Sequence, residues 1–135
     1  MLRGSCLCQA VRYEVAGDVH DVHHCHCSMC RKGHGAAFST FARLTAGDFR
    51  IVAGREHVRA HRSSPPIERT FCDTCGGRLT VRFDGMPDAV WVSLGTLDDD
   101  AGVRPGVHMF VGSKAAWDEI SDALPQFPEY GPMGE

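Results

Sequence analysis

Seven cysteines in a chain of 135 residues are the side chains best suited to do chemistry. Their spacings are C-x-C, C-x-C-x-x-C and C-x-x-C, formed by Cys6 and Cys8, by Cys25, Cys27 and Cys30, and by Cys72 and Cys75. The count is odd, and the first residues contain no apolar signal segment, so the sequence predicts a cytoplasmic protein in which disulfides are disfavoured. We therefore expect the thiols to bind metal or to react.

The grouping predicts two zinc ions per chain with different numbers of protein ligands. Structural zinc is almost always closed by four ligands, whereas catalytic zinc keeps three and leaves one position for water or substrate. The predicted sets are Cys6, Cys8, Cys72 and Cys75 for a structural zinc, and Cys25, Cys27 and Cys30 for a catalytic zinc. A C-x-C pair needs a bend, because residues two apart in a strand are too widely spaced to share one zinc.

Two alternatives concern the second group. A histidine could close it into a Cys3His site, and the nearby candidates are His20, His23, His24 and His26. An iron–sulfur cluster also uses cysteines, but its common runs have spacings that this chain lacks. Zinc is favoured, and the fourth ligand stays open.

Alternation of apolar and polar residues predicts that strands position these groups. We expect strands at 9–15, 37–42, 49–52, 56–61, 69–71, 78–83, 90–94 and 107–111. A helical turn is expected over 28–32, with Ser28 as its N-cap and Gly33 after it. A second helix is expected after Ser113, ended by Pro125, because apolar residues recur there at spacings of three and four. They are Ala116, Trp117, Ile120 and Leu124.

The predicted fold is mainly β: one small zinc-containing antiparallel β-sheet domain over residues 1–135, with one or two short helices and an irregular arm at 125–135. Lys plus Arg is 14 against 17 Asp plus Glu, a net charge of −3 without the basic excess of a nucleic-acid-binding protein. The apolar stretches are far shorter than the ~20 residues that span a bilayer. We expect neither nucleic acid nor membrane as a partner, and the sequence indicates no oligomeric state.

With these motifs the sequence resembles the glutathione-dependent formaldehyde-activating family, also called the GFA or centromere-protein-V-like family. The matching segments are GSCLC at 4–8, CHCSMCRK at 25–32, GAAF at 35–38, FCDTCG at 71–76, GTLD at 95–98 and HMFVGSK at 108–114, with Trp117. The resemblance implies a zinc-bearing β fold with zinc at both cysteine sets. Gln9 stands where a glycine often follows the first pair, and Gly77-Arg78 replaces a commoner Ser-Pro-like continuation. Neither departure removes a ligand.

The resemblance implies addition of glutathione to formaldehyde, giving S-hydroxymethylglutathione, or the reverse carbon–sulfur cleavage. Zinc with three thiolates carries a formal charge of −1, which makes it a weak Lewis acid toward water. An incoming thiol, whose free pKa is about 8.5, suits it better because zinc would bind it as the thiolate. We therefore expect a carbon–sulfur lyase or synthase acting on a thiol–aldehyde adduct, with a thiol such as glutathione and an aldehyde as its partners.

Four further residues are candidates for substrate contact. Arg31 and Lys32 follow the third ligand and could bind carboxylates, or face solvent at the end of a helix. His26, between two ligands, could shuttle a proton or support the site, and His108 could line a pocket or pack against neighbours.

The rival function is a non-catalytic protein-interaction module in which both zinc ions are structural. A redox centre whose thiols oxidise is a third possibility.

Overall fold

The computed structural model describes residues 1–131, and these form ten strands and one α-helix. The strands are β1 (Leu2–Ser5), β2 (Arg12–Val15), β3 (His20–Cys25), β4 (Ser39–Thr45), β5 (Phe49–Ala53), β6 (Val58–Ser64), β7 (Ile67–Cys72), β8 (Arg78–Phe83), β9 (Ala89–Ser93) and β10 (Val107–Met109). The helix, α1, is Ser28–His34. Short 3-10 turns lie at Ala46–Asp48, Arg55–His57, Leu94–Thr96 and Val111–Ser113.

The strands form two sheets. The smaller has the order β1-β2-β5, and the larger has the order β10-β3-β4-β9-β8-β7-β6. Neighbours are antiparallel except β10 and β3, which run parallel. The larger sheet is therefore mixed, and the antiparallel prediction is wrong at that edge. β10 reaches β3 through the long connection after β9, so no hairpin turn fixes its direction.

The two faces of the larger sheet cover different cores. One face packs against the smaller sheet, where Tyr13 and Val15 meet Leu44, Val90 and Val92. The opposite face carries a second apolar cluster that includes Phe41, Trp91, Cys25 and Cys30. β9 lies between the two cores and is buried at all five positions, which is why it reads as a continuous apolar run.

The predicted strands match β2 and β4 to β10, with ends displaced by a few residues, but β1 and β3 were not predicted. β3 has the sequence HDVHHC, whose histidines hide the apolar pattern. In the structure His23 is buried and its Nδ1–H donates to the Asp21 carbonyl oxygen at 2.8 Å. A strand of packed, hydrogen-bonded histidines has no period-two signal.

The helix at 28–34 confirms the predicted turn and its first residue, but the predicted N-cap and the predicted end are wrong. Cys27 is the N-cap, and its Sγ accepts the Cys30 N–H at 3.3 Å. The helix ends at Gly35, which has a left-handed φ of 61°. A cysteine sulfur thus replaces the hydroxyl cap that Ser28 was expected to supply.

The second predicted helix is wrong, because 114–124 consists of turns and irregular backbone. The Lys114 ammonium donates to the carbonyl oxygens of Ala115 and Asp118, and a continuing helix would need the latter for the Asp122 N–H. Trp117 is 74% exposed and belongs to no core.

The arm is irregular over 125–131 apart from one bridge at Gln126, and 132–135 lies outside the described residues. Within the described chain, every helix is too short or too polar to cross a membrane.

Replacing Gly54 by alanine is expected to lower the free energy of unfolding by about 2–5 kcal/mol. Gly54 has a φ of 77°, and an added Cβ would lie 1.9 Å from the carbonyl oxygen of Ala10, close to the first cysteine pair. Gly47→Ala is the control, because no heavy atom lies within 4 Å of its added Cβ. Urea unfolding followed by circular dichroism measures both, and equal losses would contradict the explanation.

Candidate functional site

The first cysteine group brings together two distant parts of the chain. The sulfur atoms of Cys6, Cys8, Cys72 and Cys75 all lie within 4.8 Å of one another. The Cys6 and Cys8 sulfurs are 3.6 Å apart, and the Cys8 and Cys72 sulfurs are 3.8 Å apart. A tetrahedral ion with 2.3 Å bonds to sulfur has sulfur–sulfur edges of about 3.8 Å, whereas a disulfide needs about 2.05 Å. The group therefore fits a four-coordinate metal ion.

Tight turns follow each pair of this group. Gln9 has a left-handed φ of 65° after the first pair, and Gly76 has one of 75° after the second. The Val11 N–H then points back and donates to the Cys6 sulfur at 3.3 Å. The predicted bend of the C-x-C pair is present in this turn.

Backbone N–H groups also favour the charged form of the second pair. The Gly77 N–H donates to the Cys75 sulfur at 3.4 Å. The N–H groups of Cys8 and Gly77 lower the pKa of Cys75 to about 6. Since Cys6 follows β1 and Cys72 ends β7, the group ties the smaller sheet to the larger one.

The second group is local in sequence and sits where β3 passes into α1. The sulfurs of Cys25, Cys27 and Cys30 lie within 4.8 Å of one another, and within residues 1–131 no histidine nitrogen shares that cluster. The His24 ring is hydrogen-bonded to the Thr40 hydroxyl at 2.8 Å, and the His26 ring to His108 at the same distance.

The charges of the second group are strongly linked. Contacts with Cys25 and Cys30 lower the pKa of Cys27 to about 2, while contacts with Cys27 and Cys30 raise the pKa of Cys25. The guanidinium of Arg69 lies beside the group, with Nη1 and Nη2 each 3.7 Å from the Cys30 sulfur. Three thiolates this close need a cation among them, which is the chemistry of a metal site.

A small cavity of about 100 Å³ opens beside these sulfurs. Its other walls are mostly apolar and include Met29, Phe41, Trp91, Met109, Phe110 and Tyr130. Since a water molecule occupies about 30 Å³ in the liquid, the space suits a molecule of a few heavy atoms. The sulfur cluster therefore borders a binding cavity.

His26 and His108 belong to a buried chain of hydrogen bonds, and neither ring lines the cavity. The Asp122 carboxylate accepts from His108 Nε2–H at 2.9 Å, so Nδ1 of His108 must accept the His26 Nε2–H at 2.8 Å. His26 Nδ1 is then an unprotonated, buried nitrogen to which no group of residues 1–131 donates a hydrogen bond. Burial and the neighbouring His108 lower the pKa of His26.

The two cationic candidates lie in different places. Arg31 Nε donates to the Ser113 carbonyl oxygen at 3.1 Å and so holds α1 to the turn that follows β10. Lys32 lines a separate groove together with Arg69 and Arg78.

Sequence reasoning missed Arg69. It lies between Ile67 and Phe71 on one face of β7, and Ile67 is buried. A charged residue at an inward-facing position of a strand was the available signal.

Comparisons with known proteins confirm the family that the sequence resembles. The family model for the glutathione-dependent formaldehyde-activating enzyme matches residues 1–113. A Halomonas elongata protein named for that family is 32% identical over 127 residues, covering 89% of this chain and 81% of the relative. A Fusarium vanettenii protein with the same name is 31% identical over 83 residues, covering 62% and 45%. A crystal structure of a Rhodobacter sphaeroides protein has 29% identity and a TM-score of 0.61, covering 76% of this chain and 91% of that one.

Replacing His108 by leucine is expected to lower the free energy of unfolding by about 1–3 kcal/mol, because the His26 Nε2–H is left buried without an acceptor. Asp122→Asn is the matched control, since an amide oxygen can still accept from His108, and its loss should stay below about 1 kcal/mol. Urea unfolding at pH 7.5 measures both variants. Equal losses would show that the histidine pair is not the stabilising element.

Stability is expected to fall as pH decreases from about 6.5 toward 4, in part through His34. Burial and the charges of Arg78 and Arg69 lower the pKa of His34 to about 4. Below its ordinary value of 6.5 the unfolded chain takes up a proton that the folded state resists, so acid favours unfolding. His34→Gln should flatten this pH dependence in urea unfolding, whereas the same change at His20 is the control. An unchanged slope for His34→Gln would contradict the assignment.

Proposed function

The chain belongs to the glutathione-dependent formaldehyde-activating family, and we propose that it is a zinc-dependent carbon–sulfur lyase or synthase acting on a thiol–aldehyde adduct of S-hydroxymethylglutathione type. The observation that carries this proposal is the three-cysteine cluster bordering an apolar cavity, with no histidine nitrogen sharing the cluster in the described chain. A closed structural site has no need of an adjacent cavity.

Zinc is the proposed metal at both groups because every donor is a cysteine sulfur and the separations in the first group match a tetrahedron. Cys6, Cys8, Cys72 and Cys75 would hold a structural ion that links the two sheets. Cys25, Cys27 and Cys30 would hold the second ion, which when bound supplies a centre where a substrate thiol is held as its thiolate at neutral pH.

Arg69 supplies the balancing charge in this proposal. Three thiolates and Zn²⁺ leave a formal charge of −1, and the Arg69 guanidinium lies 3.7 Å from the Cys30 sulfur. Because Arg69 is only 6% exposed, solvent screens this attraction weakly. The cluster could then accept one more thiolate with less repulsion.

The cavity would place the aldehyde beside the substrate sulfur. In synthesis, a sulfur electron pair forms the bond to the carbonyl carbon, the carbonyl π pair moves to oxygen, and the oxygen takes a proton. Cleavage reverses each of these transfers. The apolar walls limit access of water, and holding the two reactants together replaces an encounter in solution.

The direct test measures metal content and exchange between glutathione and ¹³C-formaldehyde. We expect two zinc ions per chain by mass spectrometry, and exchange in NMR spectra faster than without protein. Cys27→Ser should keep its fold and one zinc while exchange returns to the background rate. A folded protein with two metal ions and no acceleration would instead favour the non-catalytic interaction module.

The matched variant is Cys72→Ser, which removes a ligand of the other group. It should impair folding itself, because structural zinc contributes folding free energy and this group joins the two sheets. Equal loss of fold in Cys27→Ser and Cys72→Ser, measured by circular dichroism, would contradict the proposed division between the groups.

A further inference from the structure

A groove of about 350 Å³ lies next to the three-cysteine cavity. The two spaces share Met29 and Arg69 as walls, and Lys32, His61, Ser63 and Arg78 also line the groove. No aspartate or glutamate lines it within the described chain. The groove therefore extends the sulfur site with a cationic surface.

Two arginines of this groove form no ion pair with a carboxylate within the described chain. Arg69 is 6% exposed, and its Nε donates to the Ser63 hydroxyl at 2.8 Å. Arg78 Nε donates to the Gly33 carbonyl oxygen at 3.0 Å, while its Nη1 is buried and finds no hydrogen-bond acceptor in the part of the chain that the structure describes. Over residues 1–131 neither arginine forms an ion pair, and Lys32 forms none either.

Three exposed arginines elsewhere in the chain form ion pairs with carboxylates. Arg3, Arg50 and Arg104 have side chains that are 70–72% exposed, and each is paired with a carboxylate at 2.9–3.1 Å. Exposed pairs of this kind contribute little, because solvent screens them. Arg43, whose side chain is only 19% exposed, is also paired, with Asp21 at 2.6 Å. Arg69 is less exposed than any of these and forms no ion pair with a carboxylate in the described chain, so a counter-charge brought by a ligand would be weakly screened there.

Arg69 and Arg78 differ in whether a negative charge lies next to the guanidinium. Arg69 contacts the Cys30 sulfur, so the thiolate cluster offsets its charge. Within residues 1–131, Arg78 forms no hydrogen bond to a cysteine: its guanidinium lies over the Phe71 ring at 5.7 Å and is fixed through Gly33. A fixed guanidinium is well suited to bind a carboxylate with two parallel hydrogen bonds.

We propose that this groove binds a carboxylate of the thiol substrate, with Arg78 and Lys32 as its cationic contacts. The proposal rests on the proposed function, because the substrate sulfur must lie at the three cysteines for its carboxylate to reach the neighbouring groove. The cavity of about 100 Å³ cannot enclose a tripeptide thiol, so most of such a molecule must lie outside it. The preferred substrate class is a thiol that carries a carboxylate.

The experiment compares glutathione with its diethyl ester, which has the same thiol but neutral carboxyl groups. Binding of each to the metal-loaded protein is measured by isothermal titration calorimetry at 0.15 M salt. Wild type should bind glutathione about tenfold or more tightly than the ester, as expected for loss of a charged hydrogen bond. Arg78→Gln and Lys32→Gln should each weaken glutathione binding and leave the ester unchanged.

Arg82→Gln is the control for charge, because Arg82 lies on the same strand but outside the groove. Circular dichroism of each variant tests whether it folds, and Arg78→Lys keeps the positive charge at this position. Lys32→Gln is not expected to disturb folding, because Lys32 lies outside the core clusters. Equal affinity for glutathione and the ester would contradict the groove proposal and leave the proposed function standing. Equal losses of glutathione affinity in Arg82→Gln and Arg78→Gln would do the same. If neither compound binds, the proposed function fails and the groove proposal fails with it.

Discussion

Repulsion between thiolates held close together is the constraint on which this structure depends. Sulfur atoms within 4.8 Å of one another cannot all ionise unless positive charge lies among or beside them. The chain supplies part of that charge through N–H groups directed at Cys6 and Cys75 and through the Arg69 guanidinium at Cys30. A bound cation would supply the remainder, and folding and metal binding would then be linked.

The two cysteine groups differ in how much of the fold they connect. The four-cysteine group joins β1 and β7, which belong to different sheets, and so makes a long-range connection in a small protein. The three-cysteine group is contained between β3 and the first turn of α1. A local cluster contributes less to the overall architecture, which leaves its sulfurs free to border a cavity.

Sequence reasoning predicted the cysteine groups, most strands and α1, because these depend on local spacing and alternation. It could not predict β3, where the buried His23 packs against Phe41 and the His24 ring lies against His108, both distant in sequence. It also predicted a helix around Trp117, since periodicity indicates a possible apolar stripe but not whether a core is available to receive it.

The sequence predicted which cysteines come together in the site, but it did not predict the residues that surround them. Arg69 and the cavity walls come from separate strands that meet only in the folded protein. Arg78 followed the last cysteine pair and was noted in the sequence only as a departure from the family pattern. Its role depends on α1, because the Gly33 carbonyl oxygen fixes its guanidinium.

The tail beyond β10 forms part of the cavity wall. Tyr130 packs its ring against Phe110 at 4.7 Å and walls the cavity, while main-chain bonds from Phe110 and Val111 to the carbonyl oxygens of Glu129 and Phe127 secure the segment. Main-chain bonds tolerate almost any side chain, and this stretch lies after the 1–113 family match. Side chains of this stretch can therefore change and reshape the cavity wall, while the main chain and the three cysteines keep their positions.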